Sequence, residues 1–222
     1  MTVKLVSYTS PSKEFFLGEN IDNVQELITF CARVSNPSNQ LNTKTSDKLL
    51  AYLIKHKHWS PFELCDANLE IECTRDIGRQ ILRHASFRFQ EFSQRYADPT
   101  KDMTFVYREA RLQDPKNRQN SIKVNDPRLE SEWQDKQQEV INAARDAYRW
   151  AVENGIAKEQ ARCVLPEGNT MSRMYMKGSI RSWIHYIDIR TGEETQLEHR
   201  LIAKACAEAI SKIFPMVSDF KH

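Results

Sequence analysis

From Val3 to Tyr8 apolar and polar residues alternate, the period of a half-buried strand. Between Asp22 and Val34 the period changes: Val24, Leu27, Ile28 and Cys31 stand at helical spacing. A second helix is expected after Thr45 or Ser46, either of which can cap it, and it carries Leu49, Leu50, Leu53 and Ile54. It should stop at His58–Phe62, because Pro61 disfavours helix at Ser60. Ala67, Leu69, Ile71 and Cys73 then alternate with Asn68, Glu70, Glu72 and Thr74, which predicts a strand with one wet face. Thr74 can cap a short helix from Arg75 to about His84, with Asp76 favourable in the first turn. Phe87, Phe89 and Glu91 lead into a second extended piece.

The polar stretch Asp114–Pro127 holds two prolines and reads as a long loop. Leu129, Trp133, Val140, Ala144, Ala147 and Ala151 mark one face of a long amphipathic helix that closes near Asn154-Gly155. A short helix at Lys158–Val164 ends at Pro166, and Ser179–Ile189 and Gln196–Phe214 give two more. The pattern predicts an α+β fold, with helices before and after a modest sheet, in a single domain spanning residues 1–222.

Composition narrows the class. The chain has 222 residues, enough for a real core, and 28% are charged, but the net charge is only +2. That excess is too small to argue for nucleic acid as a partner. No apolar run suits a membrane span, and MTVKLVSYTS lacks a signal-peptide pattern, so a cytoplasmic protein is expected. Cys31, Cys65, Cys73, Cys163 and Cys206 form no CxxC, so reduced thiols and no metal site are expected.

Candidate chemistry concentrates between Arg75 and Arg95, where five arginines and no lysine occur. Arg75, Arg79 and Arg83 fall at i, i+4 and i+8, one face of a helix if it extends to His84, and Gln80 borders that row. Arginine suits bidentate pairing with phosphate or carboxylate oxygens. Ser86, Ser93 and Tyr96 add hydroxyls, Glu91 adds a carboxylate, and Phe87, Phe89 and Phe92 add flat rings. Taken on the residues alone, this is an anion or nucleotide site, set against the plainer reading of a solvated helix face.

Four elements, in order, resemble the flavin-dependent thymidylate synthase family. Arg83-His84-Ala85, seven residues and then Ser93 is similar to its Arg-His-Arg…Ser signature, flanked by Arg79-Gln80-Ile81-Leu82 and Gln90–Tyr96. His58-Trp59-Ser60-Pro61-Phe62-Glu63 resembles its His-x-Ser/Thr-Pro-Phe-Glu element. Val164-Leu165-Pro166 followed by Arg173 resembles its Leu-Pro…Arg element. Ser179-Ile180-Arg181, His185 and Asp188-Ile189-Arg190 resemble its Asn-x-Arg…Leu-Arg helix.

The resemblance implies helices packed around a small, mainly antiparallel sheet and a homotetramer. It implies methylation of dUMP to dTMP with methylenetetrahydrofolate as carbon donor, FAD as carrier and NADPH as reductant. Matched to the dUMP-binding positions are Gln80, Ile81, Leu82, Arg83, Glu91, Phe92, Ser93, Gln94, Arg95, Arg173 and Arg190, with Arg190 catalytic. Matched to the FAD positions are Ser60, Arg83, His84, Ala85, Glu91, Ser179, Ile180, Arg181 and His185. Ala85 stands where the family usually carries an arginine, and Arg88, three positions on, is expected to supply part of that charge. Ser179 and His185 stand where asparagines are common. These departures leave room for a relative acting on dCMP or UMP, or transferring a hydroxymethyl group. A nucleotide- or RNA-binding module without catalysis is the alternative from another class.

Overall fold

The computed structural model describes residues 1–12, 21 and 23–222. Along the chain run β1 (Thr2–Tyr8), α1 (Val24–Ala32), α2 (Ser46–Lys55), β2 (Asp66–Thr74) and α3 (Arg75–Ile81). Then come β3 (Arg88–Glu91), α4 (Pro99–Asp102), β4 (Arg111–Gln113), β5 (Ser121–Lys123) and α5 (Pro127–Glu153). The chain continues through α6 (Lys158–Ala161), β6 (Met171–Ser179), α7 (Ile180–Arg190) and α8 (Leu197–Ser211). The main sheet is antiparallel, in the order β1-β2-β6-β3, and β4 and β5 form a separate two-stranded ribbon. The α+β fold expected from the pattern is therefore the one observed.

Alternation along β2 and β6 sorts the two faces of the sheet. Ala67, Leu69, Ile71, Cys73, Met174 and Met176 turn inward and are buried. They meet Ile77 and Ile81 of α3, Trp183 and Ile187 of α7, and Ile202, Cys206 and Ile210 of α8 in one core cluster. Each such isoleucine contributes roughly 1.5–3 kcal/mol by leaving water. The other face is polar: Lys4 pairs with Glu70 at 3.3 Å, Tyr175 donates to Glu70 at 2.9 Å, and Arg173 pairs with Glu72. Burial pushes the Cys65 and Cys73 thiols up to about 12, so neither is a thiolate at neutral pH. A smaller cluster joins Tyr148 and Ala151 of α5 to Ala161 and Leu165.

Several local expectations need correction. The strand β6 was not foreseen, although Met174 and Met176 alternate with Arg173, Tyr175 and Lys177. Its methionines, lysine and glycine lack β preference, and burial between two partners makes the strand. The loop expected at Asp114–Pro127 contains β5. α2 ends at Lys55, before Pro61, with Lys57 in the left-handed region at φ 58°. Pro61 lies inside a 3-10 turn, Ser60–Glu63. Thr45 precedes α2 without capping it, because its hydroxyl accepts from Arg33 at 2.8 Å. Thr74 precedes α3, but its hydroxyl is engaged with Asp76 and Arg108 instead of the helix amides. Of the first expected helix, Asp22 lies outside the described residues.

Candidate nucleotide and flavin site

The helix α3 leaves β2 without a linker, which sets Arg75 and Arg79 against β3. Glu91 of β3 receives Arg75 at 3.4 Å and Arg79 at 3.2 Å. Ser172 of β6 donates to the same carboxylate at 3.1 Å. Gly78 permits this approach: a Cβ there would stand 3.0 Å from the Met174 methyl and 3.8 Å from Glu91 Oε1. Arg75 and Arg79 also face Glu167 at 3.8 Å each.

Beside them opens a recess of about 630 Å³, lined by Arg75, Arg79, Arg162, Gln94, Cys163 and Glu167 among others. Gln94 is 4% exposed, and its Nε2 has no hydrogen-bond partner among the described residues. A buried, unsatisfied amide costs about 1–3 kcal/mol, so a ligand oxygen there would relieve it. Arg162 was not foreseen as a site residue, although it stands three positions before Leu165 of the Leu-Pro element. Arg95 pairs with Glu159 at 3.5 Å near the same recess.

The regular helix ends at Ile81, so Arg83 leaves the Arg75–Arg79 row. The turn that follows is held by Arg83 N–H donating to Gln80 O at 3.4 Å and His84 N–H to Ile81 O at 3.1 Å. It is anchored by Phe87, which sits over Gly178: a Cβ at Gly178 would meet the Phe87 ring at 2.5 Å. Phe87 also packs on Trp183, with ring centroids 4.7 Å apart. The Arg88 side chain folds back over this turn, donating to Phe87 O at 3.0 Å and Ala85 O at 3.3 Å.

Arg190, at the end of α7, donates from Nε to His84 Nε2 at 2.9 Å. Accepting that bond requires an unprotonated Nε2. Burial first, then the Arg190 and Arg83 charges, holds the His84 pKa down to about 4. Among the described residues neither Arg83 nor Arg190 has a carboxylate within 4.0 Å. Two uncompensated cations therefore flank a neutral imidazole.

Behind His84 lies a polar chain, and Gln80 faces it instead of bordering the arginine row. Tyr186 Oη is 3.1 Å from His199 Nε2, and His199 Nδ1 is 3.2 Å from Gln80 Oε1. Gln80 Nε2 donates to Gln196 Oε1 at 2.8 Å, and Gln196 Nε2 to Glu198 Oε2 at 2.9 Å. Glu198 pairs with Arg108 at 3.1 Å and Arg111 at 2.5 Å. Arg108, Arg111, Tyr186 and His199 were not foreseen, since each looks like a lone residue in an unremarkable stretch.

The remaining candidates divide. Ser60 is exposed on the 3-10 turn, where Glu63 pairs with Arg181 at 2.9 Å. His185 packs edge-on against Trp59 at 4.7 Å, and burial, then Arg181, lowers its pKa. Ser179 turns inward to cap α7, accepting from Ser182 N–H at 3.2 Å. Ile180 is fully buried and its amide donates to Cys65 O at 2.8 Å, so neither its side chain nor its N–H is free for a ligand. Ile81 is fully buried and Leu82 half-buried. Arg173 lies on the outer sheet face with Glu72, while its carbonyl accepts from Phe92 N–H at 2.8 Å. Ser93 accepts from Arg95 N–H at 3.4 Å.

A family model described as thymidylate synthase complementing protein matches residues 17–216. The chain belongs to the flavin-dependent thymidylate synthase family. A protein of Paramecium bursaria Chlorella virus 1, named probable flavin-dependent thymidylate synthase, is 46% identical over 218 residues, covering 98% of this chain and 97% of its own. The flavin-dependent thymidylate synthase of Synechocystis sp. is also 46% identical over 218 residues, covering 98% of each. In fold, the chain is similar to the crystal structure of the UMP/dUMP methylase PolB of Streptomyces cacaoi bound with 5-Br dUMP. That likeness has a TM-score of 0.80 at 23% identity and covers 99% of this chain and 93% of the other. The family, its sheet-and-helix fold and a flavin as cofactor are thus as the motifs implied.

Proposed function

We infer that the protein methylates C5 of dUMP to give dTMP, in the cytoplasm, with FAD as its flavin. Methylenetetrahydrofolate is the carbon donor and NADPH the reductant. When bound, the flavin supplies carriage of the one-carbon unit and the hydride. The supporting observation is the recess where Arg75, Arg79 and Arg162 converge beside the unpartnered Gln94 amide. Three guanidinium groups and a buried N–H donor suit the oxygens of a 5′-phosphate.

The donor set also fits FAD. Among the described residues Arg83 has no carboxylate within 4.0 Å and Arg88 bonds only to carbonyls of its own turn, so both can meet a diphosphate. Trp59, His185 and Arg181 offer ring edges and a further cation. Ser179 and Ile180 serve the fold instead of the flavin.

Uracil C5 is a weak nucleophile until charge moves toward it from the N3 and carbonyl edge. Arg190, its guanidinium steered by His84, is the group that stabilises charge developing at that edge. In a homotetramer, the recess of one protomer can complete an active site with the Arg83–Arg88 turn of another.

Calorimetric titration of the FAD-loaded protein with dUMP tests the recess. Arg162→Ala should weaken dUMP binding about 10- to 100-fold, the loss of one charge-assisted contact of about 1.5–3 kcal/mol, while FAD binding is retained. An unchanged dUMP affinity would place the phosphate elsewhere.

A further inference from the structure

The chain of hydrogen bonds behind His84 has a single direction, and a carboxylate sets it. Glu198 is 6% exposed and salt-bridged to Arg108 and Arg111. Burial alone would raise its pKa, but the bond from Gln196, its backbone bond and the two arginines bring the net result below the usual carboxylate range. An ionised carboxylate can only accept. The Gln196 nitrogen must therefore face Glu198, which turns the Gln196 oxygen toward Gln80. The Gln80 nitrogen must then face Gln196, which leaves the Gln80 oxygen facing His199. His199 must donate from Nδ1, so its Nε2 accepts from the Tyr186 hydroxyl.

An isolated glutamine amide turns over freely, because its two ends differ little in shape. Here the wrong orientation would set oxygen against the Gln196 oxygen, and nitrogen against the His199 N–H unless His199 switches tautomer and so leaves the buried Tyr186 O–H without an acceptor among the described residues. Both clashes occur between buried or half-buried groups, where an unmet hydrogen bond costs most. After these two bonds, Gln80 retains one N–H and one lone pair in fixed order. It also lies in the cluster that holds the catalytic candidate: His199 is 6.4 Å from His84 by ring centroids, and His84 accepts from Arg190.

A pyrimidine edge reads such an amide by order. The N3–C4 edge of uracil offers donor then acceptor, and that of cytosine offers acceptor then donor. An amide free to turn over serves either; a locked one serves only one.

We propose that His199 and Gln196 are positioning residues that lock the Gln80 amide in one orientation, so that the site takes uracil and rejects cytosine nucleotides. The proposal rests on the reading of this cluster as the pyrimidine end of the dUMP site.

The test is the ratio of dUMP to dCMP affinity, measured by titration of the FAD-loaded protein. His199→Leu removes the bond to the Gln80 oxygen, and Gln196→Met removes the one to its nitrogen. Each should lower the ratio at least about tenfold, mainly by tightening dCMP binding. In a Gln80→Ala background neither should change the ratio further, because both act through Gln80. A purely structural role would instead lower the melting temperature and weaken both nucleotides alike. Gln196→Met leaves the buried His199–Tyr186 pair intact, so the test survives if His199→Leu does not fold. The proposal is overturned if Gln80→Ala reduces the ratio while the two positioning variants keep it. If Gln80→Ala leaves dUMP affinity unchanged, the reading of the site at Gln80 fails, and the proposal with it.

Discussion

Arg190 Nε donates to His84 Nε2 at 2.9 Å, tying the end of α7 to the turn after α3 across 106 residues of sequence. The guanidinium is thereby held by a neutral base instead of a carboxylate, and its charge stays available for a ligand. A carboxylate in that place would have neutralised it.

Arg190→Ala should lower the rate of dTMP formation by about 10²–10³, the usual loss for a donor aimed at developing charge. Arg190→Lys should not restore it, since a lysine ammonium cannot both bond His84 and present a planar fork. Steady-state rates at saturating dUMP check this, and full rescue by lysine would contradict it.

Arg88 donates to the carbonyls of Ala85 and Phe87, so its charge lies over the position where the family usually carries an arginine. Arg88→Ala should weaken FAD binding much more than Arg79→Ala, because Arg79 faces the phosphate recess beside Glu91 and Glu167 and not the turn that carries Ala85. Fluorescence quenching of free FAD measures both. Equal effects, or none, would show that Arg88 does not stand in for the missing arginine.

Much of this arrangement was legible in the sequence, for identifiable reasons. β2 alternates cleanly over Asp66–Thr74, because one face is buried and the other wet, and α5 forms as a long helix. Of the stripe read for α5, however, only Ala144 and Ala151 are buried, while Leu129, Trp133, Val140 and Ala147 are exposed and Gln137, Ile141 and Tyr148 turn inward instead. β6 escaped notice because its identity comes from its two neighbours, Glu72 facing Arg173 and Gln90 facing Tyr175. The motif residues Arg83, His84, Glu91 and Arg190 could be named in advance. Whether each points inward or outward could not, since a one-residue change of helix end decides it. Arg162 and the Glu198–Tyr186 chain were hidden for a further reason: the first joins the recess from the turn after α6, opposite α3, and the second arises from contacts between α3, α7 and α8, so neither follows from spacing along one element.

A half-buried and a buried histidine make stability depend on pH. His84 is held down to about 4 and His199 to about 3, in both cases chiefly by burial and then by the Arg190 charge. In the unfolded chain each returns to the ordinary value near 6.5. Between these values the unfolded chain binds more protons than the folded one, so acid favours unfolding. Stability from this source is full above about pH 6.5 and is lost progressively as pH falls toward 4 and then 3. Melting temperatures from pH 7.5 to pH 4 should fall, and His84→Gln, which keeps an acceptor for Arg190 but does not titrate, should show a shallower fall. An identical slope in that variant would contradict the assignment.

The central claim is the reaction itself. Purified protein supplied with FAD, NADPH, methylenetetrahydrofolate and dUMP, dCMP or UMP in parallel can be followed by chromatography of the nucleotide products. The expected result is a yellow protein absorbing at about 450 nm, as oxidised flavins do, and dTMP formed from dUMP only when all components are present. A protein that takes up no flavin, or one that methylates dCMP or UMP while leaving dUMP unchanged, would contradict it.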